Sequence, residues 1–221
     1  STVGEGSLMR VSLNELDTMV KRAARGAGCP WGMAEEAGKA ARWLSARGEP
    51  GVAVLGEVLK ASDASCCCAC PVVLKHAQWV MEGRDFCSLR AGAMLADRAA
   101  ELAGGAELTF GPVNQPLLLA AFAAAAAKIT GKSVELSWRG ARVVATGAAL
   151  FVEGNDLNVG RTEAVTCRVT SQALAPRALL AGCDVEDADW QRLAVLAQRS
   201  YAPATEESRL AGAGAGDNDN D

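Results

Sequence analysis

The sequence predicts an α+β fold in one domain that spans residues 1–221, and three observations support it. Apolar residues recur at helical spacing through a first half, about residues 10–130. Short segments that alternate apolar and polar residues follow over about 131–172. A last helical pattern and a Gly-rich, acidic tail occupy about 184–221. Helices, then a group of strands, then a helix are typical of α+β proteins and not of alternating α/β folds.

Two helices are predicted near the start. Ser12 and Glu15 have the spacing of a capping box, in which the hydroxyl accepts a backbone N–H and the carboxylate reaches back to another. The first helix should end at Gly26 or Gly28, and Pro30 suits the first turn of the second. The residues expected to form the two apolar stripes are Leu13, Leu16, Val20 and Ala23, then Met33, Ala37, Ala40 and Leu44.

Four further segments are predicted to be helical. Pro50 opens a short apolar segment, and Pro71 is expected to start a helix that carries His76. The Ala-rich run from Pro116 to Lys128 indicates a buried helix, because a membrane span needs about 20 apolar residues. Asp187 is expected to cap the last helix. The apolar residues are Val54, Leu55, Val58 and Leu59 in the segment after Pro50, and Val72, Val73, Trp79 and Val80 in the segment after Pro71. In the last helix they are Trp190, Leu193, Val195 and Leu196.

Period-two alternation predicts the strands. Val134, Leu136 and Trp138 alternate with polar residues, as in a strand with one buried face. Arg139 and Gly140 suit the turn that follows. Because no long helix separates these strands, an antiparallel meander is expected. The further strands are expected at residues 142–146, 150–152 and 165–170.

Composition and charge exclude several classes of function. Lys and Arg total 22 and Asp and Glu total 26, so the net charge is −4 at pH 7. A nucleic-acid surface requires clustered excess cations, so no nucleic-acid partner is expected. With 50% hydrophobic and 22% charged residues, the composition is globular and not disordered. We see neither a secretory signal nor a membrane span, so no membrane partner is expected.

Four of the eight cysteines are crowded at Cys66, Cys67, Cys68 and Cys70. Cysteines this close cannot easily form disulfides with one another, so thiols in a reducing cytoplasm are predicted. The run offers soft donors for zinc or copper, with His76, the only histidine, nearby. Because no second ligand pair stands at a zinc-site spacing, we assign no metal ligand and expect the cysteines to pack as small apolar residues. The sequence identifies no cofactor.

The joint between the first two helices carries the candidate site. Arg22 and Arg25 lie near the end of the first helix, and an anion is expected between them and the N–H groups that begin the second. Trp31 would form a wall of this site. Glu35 or Glu36 would be the catalytic acid or base. The alternative interpretation is ordinary placement of charges at helix ends.

The C-terminal segment is expected to supply more of the same site. Glycines at alternate positions let backbone N–H groups approach an anion closely, and the segment is long enough to cover the helix joint as a lid. The alternative is a frayed and solvated terminus. The substrate-binding residues predicted in this segment are Arg199, Tyr201, Glu207, Arg209, Gly212 and Gly214.

Three stretches carry a family resemblance: Ser12–Leu16 with Lys21–Gly28, Pro30–Gly38 with Arg42–Leu44, and Arg199–Arg209 with the glycines after it. Together they resemble a family of uncharacterised proteobacterial proteins, a domain of unknown function. The resemblance implies one domain over nearly the whole chain. It implies no activity, and no catalytic residue is carried over from it.

Two functional hypotheses follow. The first is a cytoplasmic enzyme that acts on a small anionic metabolite, with arginines that hold a carboxylate or phosphate and a glutamate that moves a proton. The alternative is a non-catalytic accessory or interaction protein, either a homodimer or a subunit, whose Ala-rich helices pack on a partner. A metal or redox protein built on the cysteine cluster is a more distant alternative. The first hypothesis requires the helix joint and the tail to fold against each other around a polar hollow.

Overall fold

The computed structural model describes residues 7–63, 70–175 and 178–200. The described residues form seven α-helices, which are α1 (Leu13–Gly26), α2 (Trp31–Ser45), α3 (Gly51–Asp63), α4 (Ser88–Asp97), α5 (Ala99–Ala103), α6 (Leu119–Thr130) and α7 (Asp187–Gln198). They also form eleven strands, which are β1 (Leu8–Ser12), β2 (Val72–Lys75), β3 (Gln78–Met81), β4 (Leu108–Phe110), β5 (Val113–Asn114), β6 (Ser133–Trp138), β7 (Ala141–Ala145), β8 (Leu150–Gly154), β9 (Arg161–Thr162), β10 (Val165–Thr170) and β11 (Gly182–Glu186).

Seven of the described strands form the main sheet, in the order β2-β3-β4-β10-β6-β7-β8. Neighbouring strands are antiparallel except β3 and β4, which are parallel. Two smaller antiparallel pairs join β1 to β11 and β5 to β9. In the first of these pairs Ser12 lies opposite Gly182 and Leu8 opposite Glu186, so α1 and α7 leave from opposite ends of one two-stranded ribbon. The ribbon therefore ties the beginning of the described chain to its last helix.

Helix α6 packs on β6 and β7 of the sheet and on α2, α4 and α5 among the helices. Its alanines are fully or almost fully buried at Ala120, Ala123, Ala124, Ala126 and Ala127. Small side chains allow this close approach from two sides, and α4 contributes a glycine for the same reason. A Cβ atom at Gly92 would stand 2.2 Å from the ring of Phe122. The expected buried helix in this region is confirmed.

Helix α1 packs between α2 and α7, and glycines mark both contacts. A Cβ atom at Gly38 of α2 would stand 2.5 Å from a carboxylate oxygen of Asp17 on α1. A Cβ atom at Gly26, the last residue of α1, would stand 1.7 Å from the carbonyl oxygen of Leu196 on α7. Both neighbours of α1 therefore approach it more closely than a larger side chain would permit.

The α+β class predicted from the sequence is confirmed, and so are several of its elements. The backbone N–H of Glu15 donates to the hydroxyl of Ser12 at 3.1 Å, which is the N-cap bond that the capping box predicts. Helix α1 ends at Gly26, and α2 begins directly after Pro30. Helix α7 begins at Asp187, which lies in its first turn with Asp189 and does not act as the N-cap residue.

The prediction of a helix after Pro71 is wrong. The segment forms a hairpin in which Val72 on β2 pairs with Met81 on β3. His76 and Ala77 form its turn with φ values of 49° and 62°, so His76 lies on a turn and not on a helix. β-branched Val72 and Val73 favour the pleated conformation, and the parallel contact of β3 with β4 joins the hairpin to the main sheet.

Three further expectations need correction. The first half is not purely helical, because five of the described strands, β1 to β5, lie within it. In the second half β6, β7 and β8 are sequential neighbours, but β10 returns to the other side of β6. The apolar side chains of Val165 and Cys167 are fully buried there, which favours a central position for their strand. On α7, Val195 is 55% exposed, because it points away from the face that buries Trp190 and Leu193.

Within the described parts of the chain, every helix is too short or too polar to cross a membrane.

Candidate functional site

A hollow of about 480 Å³ lies where the C-terminal half of α1, the start of α2 and the residues after α7 meet. We call it the basic hollow, and its lining consists of Lys21, Arg22, Arg25, Trp31, Arg199 and Ser200. Its volume falls within the range of small-molecule sites, about 300–1,000 Å³. Three other hollows on the described surface are smaller, at about 340, 230 and 210 Å³.

Arg25 is fixed by two contacts at the edge of the basic hollow. Its guanidinium group donates a hydrogen bond to the backbone carbonyl of Cys29, in the loop that joins α1 to α2. The same group lies 4.9 Å from the centre of the Trp31 ring, as in a cation–π contact. A backbone carbonyl carries no net charge. The hydrogen bond to it therefore positions Arg25 without cancelling its positive charge, which can still attract an anion.

Lys21 stands one helical turn before Arg25 on α1. Its ammonium group forms an ion pair with the Asp17 carboxylate at 2.7 Å, and about a third of its side chain remains exposed. Gly38 of α2 packs directly against this pair. Lys21 is thus held at the wall of the basic hollow by a neighbour on its own helix, with donors left for a second partner.

Arg22 and Arg199 are the more exposed cations of the basic hollow. They reach it from different elements, because Arg22 is on α1 and Arg199 is the residue directly after α7. The close contact between Gly26 and Leu196 brings the two elements together, since the backbone of one helix touches that of the other. Four cations from two distant parts of the sequence therefore surround one space, and the described residues that line it include no carboxylate.

The start of α2 adds the positive end of a helix. Trp31 is the first residue of this 15-residue helix, and Pro30 at its N-cap position provides no side-chain hydrogen bond to cap it. The first N–H groups of a helix have no partner within it and favour a nearby negative charge. Gly32 has no side chain, and an added Cβ atom there would meet nothing within 4 Å, so this side of the helix start is open.

The structure brings together some of the residues that the sequence predicts and separates others. Arg22, Arg25, Trp31 and Arg199 share the basic hollow. Glu35 is exposed one helical turn after Trp31 and is not part of the lining. Glu36 faces elsewhere, in a hollow between α2 and α6, where it accepts a hydrogen bond from Lys39 at 2.8 Å. This bond raises the pKa of Lys39 above its usual value.

Several predicted residues lie outside the described residues. They are Tyr201, Glu207, Arg209, Gly212 and Gly214 of the C-terminal segment and Cys66, Cys67 and Cys68 of the cysteine cluster. Cys70 is described and half-buried, with a free thiol. Across the described ranges, no three His, Cys, Asp or Glu side chains are grouped closely enough to hold a metal ion.

Sequence reasoning missed two members of the basic hollow, Lys21 and Ser200. A signal for Lys21 was available, because it lies four residues before Arg25, so the two share one helix face. Nothing in the sequence indicated Ser200, which reaches the hollow only because α7 packs on α1.

A buried carboxylate on the main sheet was also missed. Glu135 on β6 is 3% exposed, although strict alternation places it on the polar side of its strand. Arg142 on β7 donates two hydrogen bonds to one of its oxygens at 2.8 and 2.6 Å. Arg168 on β10 donates two to the other at 2.9 and 2.6 Å. Burial acts to raise the pKa of Glu135, but the bonds and charges of both arginines outweigh it and hold that pKa below its usual value.

The comparisons with known proteins identify no activity. Residues 11–84, about a third of the chain, match a family model described as "Protein of unknown function (DUF3726)", in agreement with the resemblance to an uncharacterised family. A solved structure of a dehydrogenase from Sinorhizobium meliloti is similar with a TM-score of 0.47 and 16% identity, over 87% of this chain and 69% of that one. At that score and identity the likeness carries no functional conclusion. A search of curated proteins found no match.

Proposed function

We propose that the chain binds a small anionic metabolite in the basic hollow. The observation that carries this proposal is the convergence of four cationic side chains from α1 and the end of α7 on one space of about 480 Å³. Cationic side chains gathered around one hollow create a positive potential there, which attracts a negatively charged ligand.

The types of side chain suit this role. Arginine offers a planar set of donors that matches carboxylate or phosphate oxygens two at a time, and the hollow contains three arginines. Lys21 adds a compact charge that can meet the ligand from a second direction. The uncapped start of α2 adds backbone donors and the positive end of the helix dipole. Affinity for the anion should therefore fall as salt concentration rises.

An enzymatic role requires an acid or base beside this ligand, and we assign that role to Glu35. Trp31 and Glu35 are four residues apart on α2, so their side chains lie on the same face of the helix. Glu35 is exposed and able to approach a ligand that extends from the basic hollow along this face. The proposal leaves out Glu36, because its carboxylate is paired with Lys39 in a different hollow.

The test is titration calorimetry with inorganic pyrophosphate and with citrate, on the wild-type chain and on matched variants. Lys21→Gln and Arg22→Gln each remove one cation from the basic hollow. Each should weaken binding by about tenfold or more, because hydrogen bonds to charged groups are among the stronger ones. The control is Arg139→Gln, which removes an exposed cation from the turn between β6 and β7 and should leave binding unchanged.

Glu35→Gln separates binding from acid–base chemistry. Since Glu35 is outside the lining, this variant should bind both probes as tightly as the wild-type chain or slightly more tightly, because a nearby negative charge is lost. If the wild-type chain binds neither probe, or if both cation variants bind as well as Arg139→Gln, the proposed function is wrong.

A further inference from the structure

Trp31 is an unusual side chain for the wall of a charged hollow. It is 69% exposed, whereas the other described tryptophans are half-buried or buried. Several large apolar side chains are exposed in the described parts of the chain, and among them Trp31 lines the basic hollow. An exposed aromatic ring forfeits the free energy that burial would give, about 25 cal/mol per Å² of apolar area. A ligand that covers the ring would recover this free energy.

The ring is already held in place for such a ligand. The guanidinium group of Arg25 lies 4.9 Å from the ring centre, and Arg25 is itself fixed by the carbonyl of Cys29. Trp31 is also the first residue of α2, so its backbone has helical geometry. A ring held in this way loses little conformational freedom when a second planar group stacks on it.

The size of the basic hollow supports the same conclusion. A water molecule occupies about 30 Å³ in the liquid, so a volume of about 480 Å³ far exceeds what one simple inorganic anion fills. The three arginines of the lining suit a phosphate ester, because a guanidinium group can donate to two phosphate oxygens at once. The Trp31 ring is part of the same wall, so an organic group beside the phosphate can contact it.

We propose that the ligand of the basic hollow is a phosphate ester of a planar ring compound, with its phosphate held by the cations and its ring stacked on Trp31. This inference rests on the proposed function and makes it more specific. The stacked ring meets the π-face of Trp31, while the phosphate stays within reach of Arg25 and its neighbours. The ligand thus has its charge and its ring at adjacent positions.

The test compares phenyl phosphate with cyclohexyl phosphate by titration calorimetry, with inorganic phosphate as the third probe. The two esters have the same charged group and ring size and differ in planarity. The wild-type chain should bind phenyl phosphate about fivefold or more tightly than cyclohexyl phosphate, the lower end of what aromatic stacking provides. Trp31→Leu should reduce this ratio to about one, and Trp31→Phe should keep most of it.

Ile129→Ala is the control, because Ile129 is 66% exposed on α6 and does not line the basic hollow. It should leave the ratio unchanged. If the wild-type chain binds both esters equally, or if the preference survives in Trp31→Leu, the inference about the ring is wrong while anion binding stands. If neither ester nor inorganic phosphate binds but pyrophosphate or citrate does, this inference fails and the proposed function stands. If pyrophosphate and citrate fail to bind as well, both are wrong.

Discussion

The backbone of Gly26 at the end of α1 touches the backbone carbonyl of Leu196 on α7, so closely that a Cβ atom at Gly26 would stand 1.7 Å from the oxygen. The same added Cβ would lie 3.4 Å from the Cβ of Arg199, a residue of the basic hollow. This contact links two segments that are about 170 residues apart in the sequence. The contact between α1 and α7 brings Arg22 and Arg199 to the same hollow, where we propose that they share one ligand.

Gly26→Ala should therefore destabilise the chain and weaken anion binding together. Because the new Cβ would meet the backbone carbonyl of Leu196, which cannot rotate away like a side chain, α1 and α7 have to move apart. We expect this to cost about 2–3 kcal/mol of unfolding free energy. Urea denaturation measures this cost. The control is Gly56→Ala on α3, where an added Cβ meets nothing within 4 Å and should stabilise the helix by about 0.5–1 kcal/mol. Equal stability of the two variants would contradict the packing of α1 on α7.

Glu135 should make a pH-dependent contribution to stability. Its pKa is held low in the folded chain, so its stabilising effect is fully present above the ordinary carboxyl pKa of about 4.3 and is lost as pH falls through the lower folded value. Glu135→Gln leaves Arg142 and Arg168 without their shared carboxylate. It should lower the unfolding free energy by about 2–3 kcal/mol at neutral pH, which is less than for a fully buried ion pair because both arginines are partly exposed. Urea denaturation at several pH values should show the difference from wild type shrinking below about pH 4.

The matched control is Glu153→Gln. Glu153 also pairs with Arg142, but at 3.7 Å and with 63% of its side chain exposed, so we expect little change. If Glu153→Gln costs as much as Glu135→Gln, the stabilisation does not come from the buried arrangement.

The N-cap at Ser12 gives a smaller and more local prediction. Ser12→Ala removes the acceptor for the Glu15 N–H at 3.1 Å and should lower the unfolding free energy by about 1 kcal/mol. The melting temperature measures this loss, and Ser171→Ala, in the exposed loop after β10, should leave the temperature unchanged. A melting temperature for Ser12→Ala that equals that of Ser171→Ala would show that the cap contributes nothing.

Cys167 should be chemically inert in the folded chain. Its thiol is completely buried on β10, and burial raises its pKa well above the usual range, so almost no thiolate is available. Cys70 is half-buried and should react with iodoacetamide at mildly alkaline pH sooner than Cys167 does. Peptide mass mapping before and after addition of urea should show Cys167 modified only in the unfolded chain. Equal rates for Cys70 and Cys167 in the folded chain would contradict the burial of β10.

The sequence was sufficient where local chemistry decides the structure. The hydroxyl of Ser12 indicated the start of α1, and alternation at Val134, Leu136 and Trp138 located strand β6. Arg22, Arg25 and Trp31 could be grouped because they belong to one short segment around a helix joint. In each case the residues that interact are near one another in the chain.

Local reasoning failed where neighbours come from distant segments. Alternation assigns Glu135 to the solvent face, and only the order of strands β10, β6 and β7 places an arginine on each side of it. The hairpin after Pro71 turns at His76 and Ala77, neither of which is a favoured turn residue, so the sequence carries no turn signal there. Glu35 and Glu36 are the same residue type and adjacent in the sequence. They point about 100° apart around α2, so their surroundings differ although the sequence does not distinguish them.

The most direct measurement of the central proposal is an NMR titration of the ¹⁵N-labelled chain with inorganic pyrophosphate. We expect the largest amide shifts at Trp31, Gly32 and Met33, at the start of α2, together with a shift of the Trp31 indole signal. The shifts should saturate, and Lys21→Gln should need about tenfold or more pyrophosphate to reach the same fraction of them. Shifts centred on another part of the surface, or a spectrum that pyrophosphate leaves unchanged, would contradict the account.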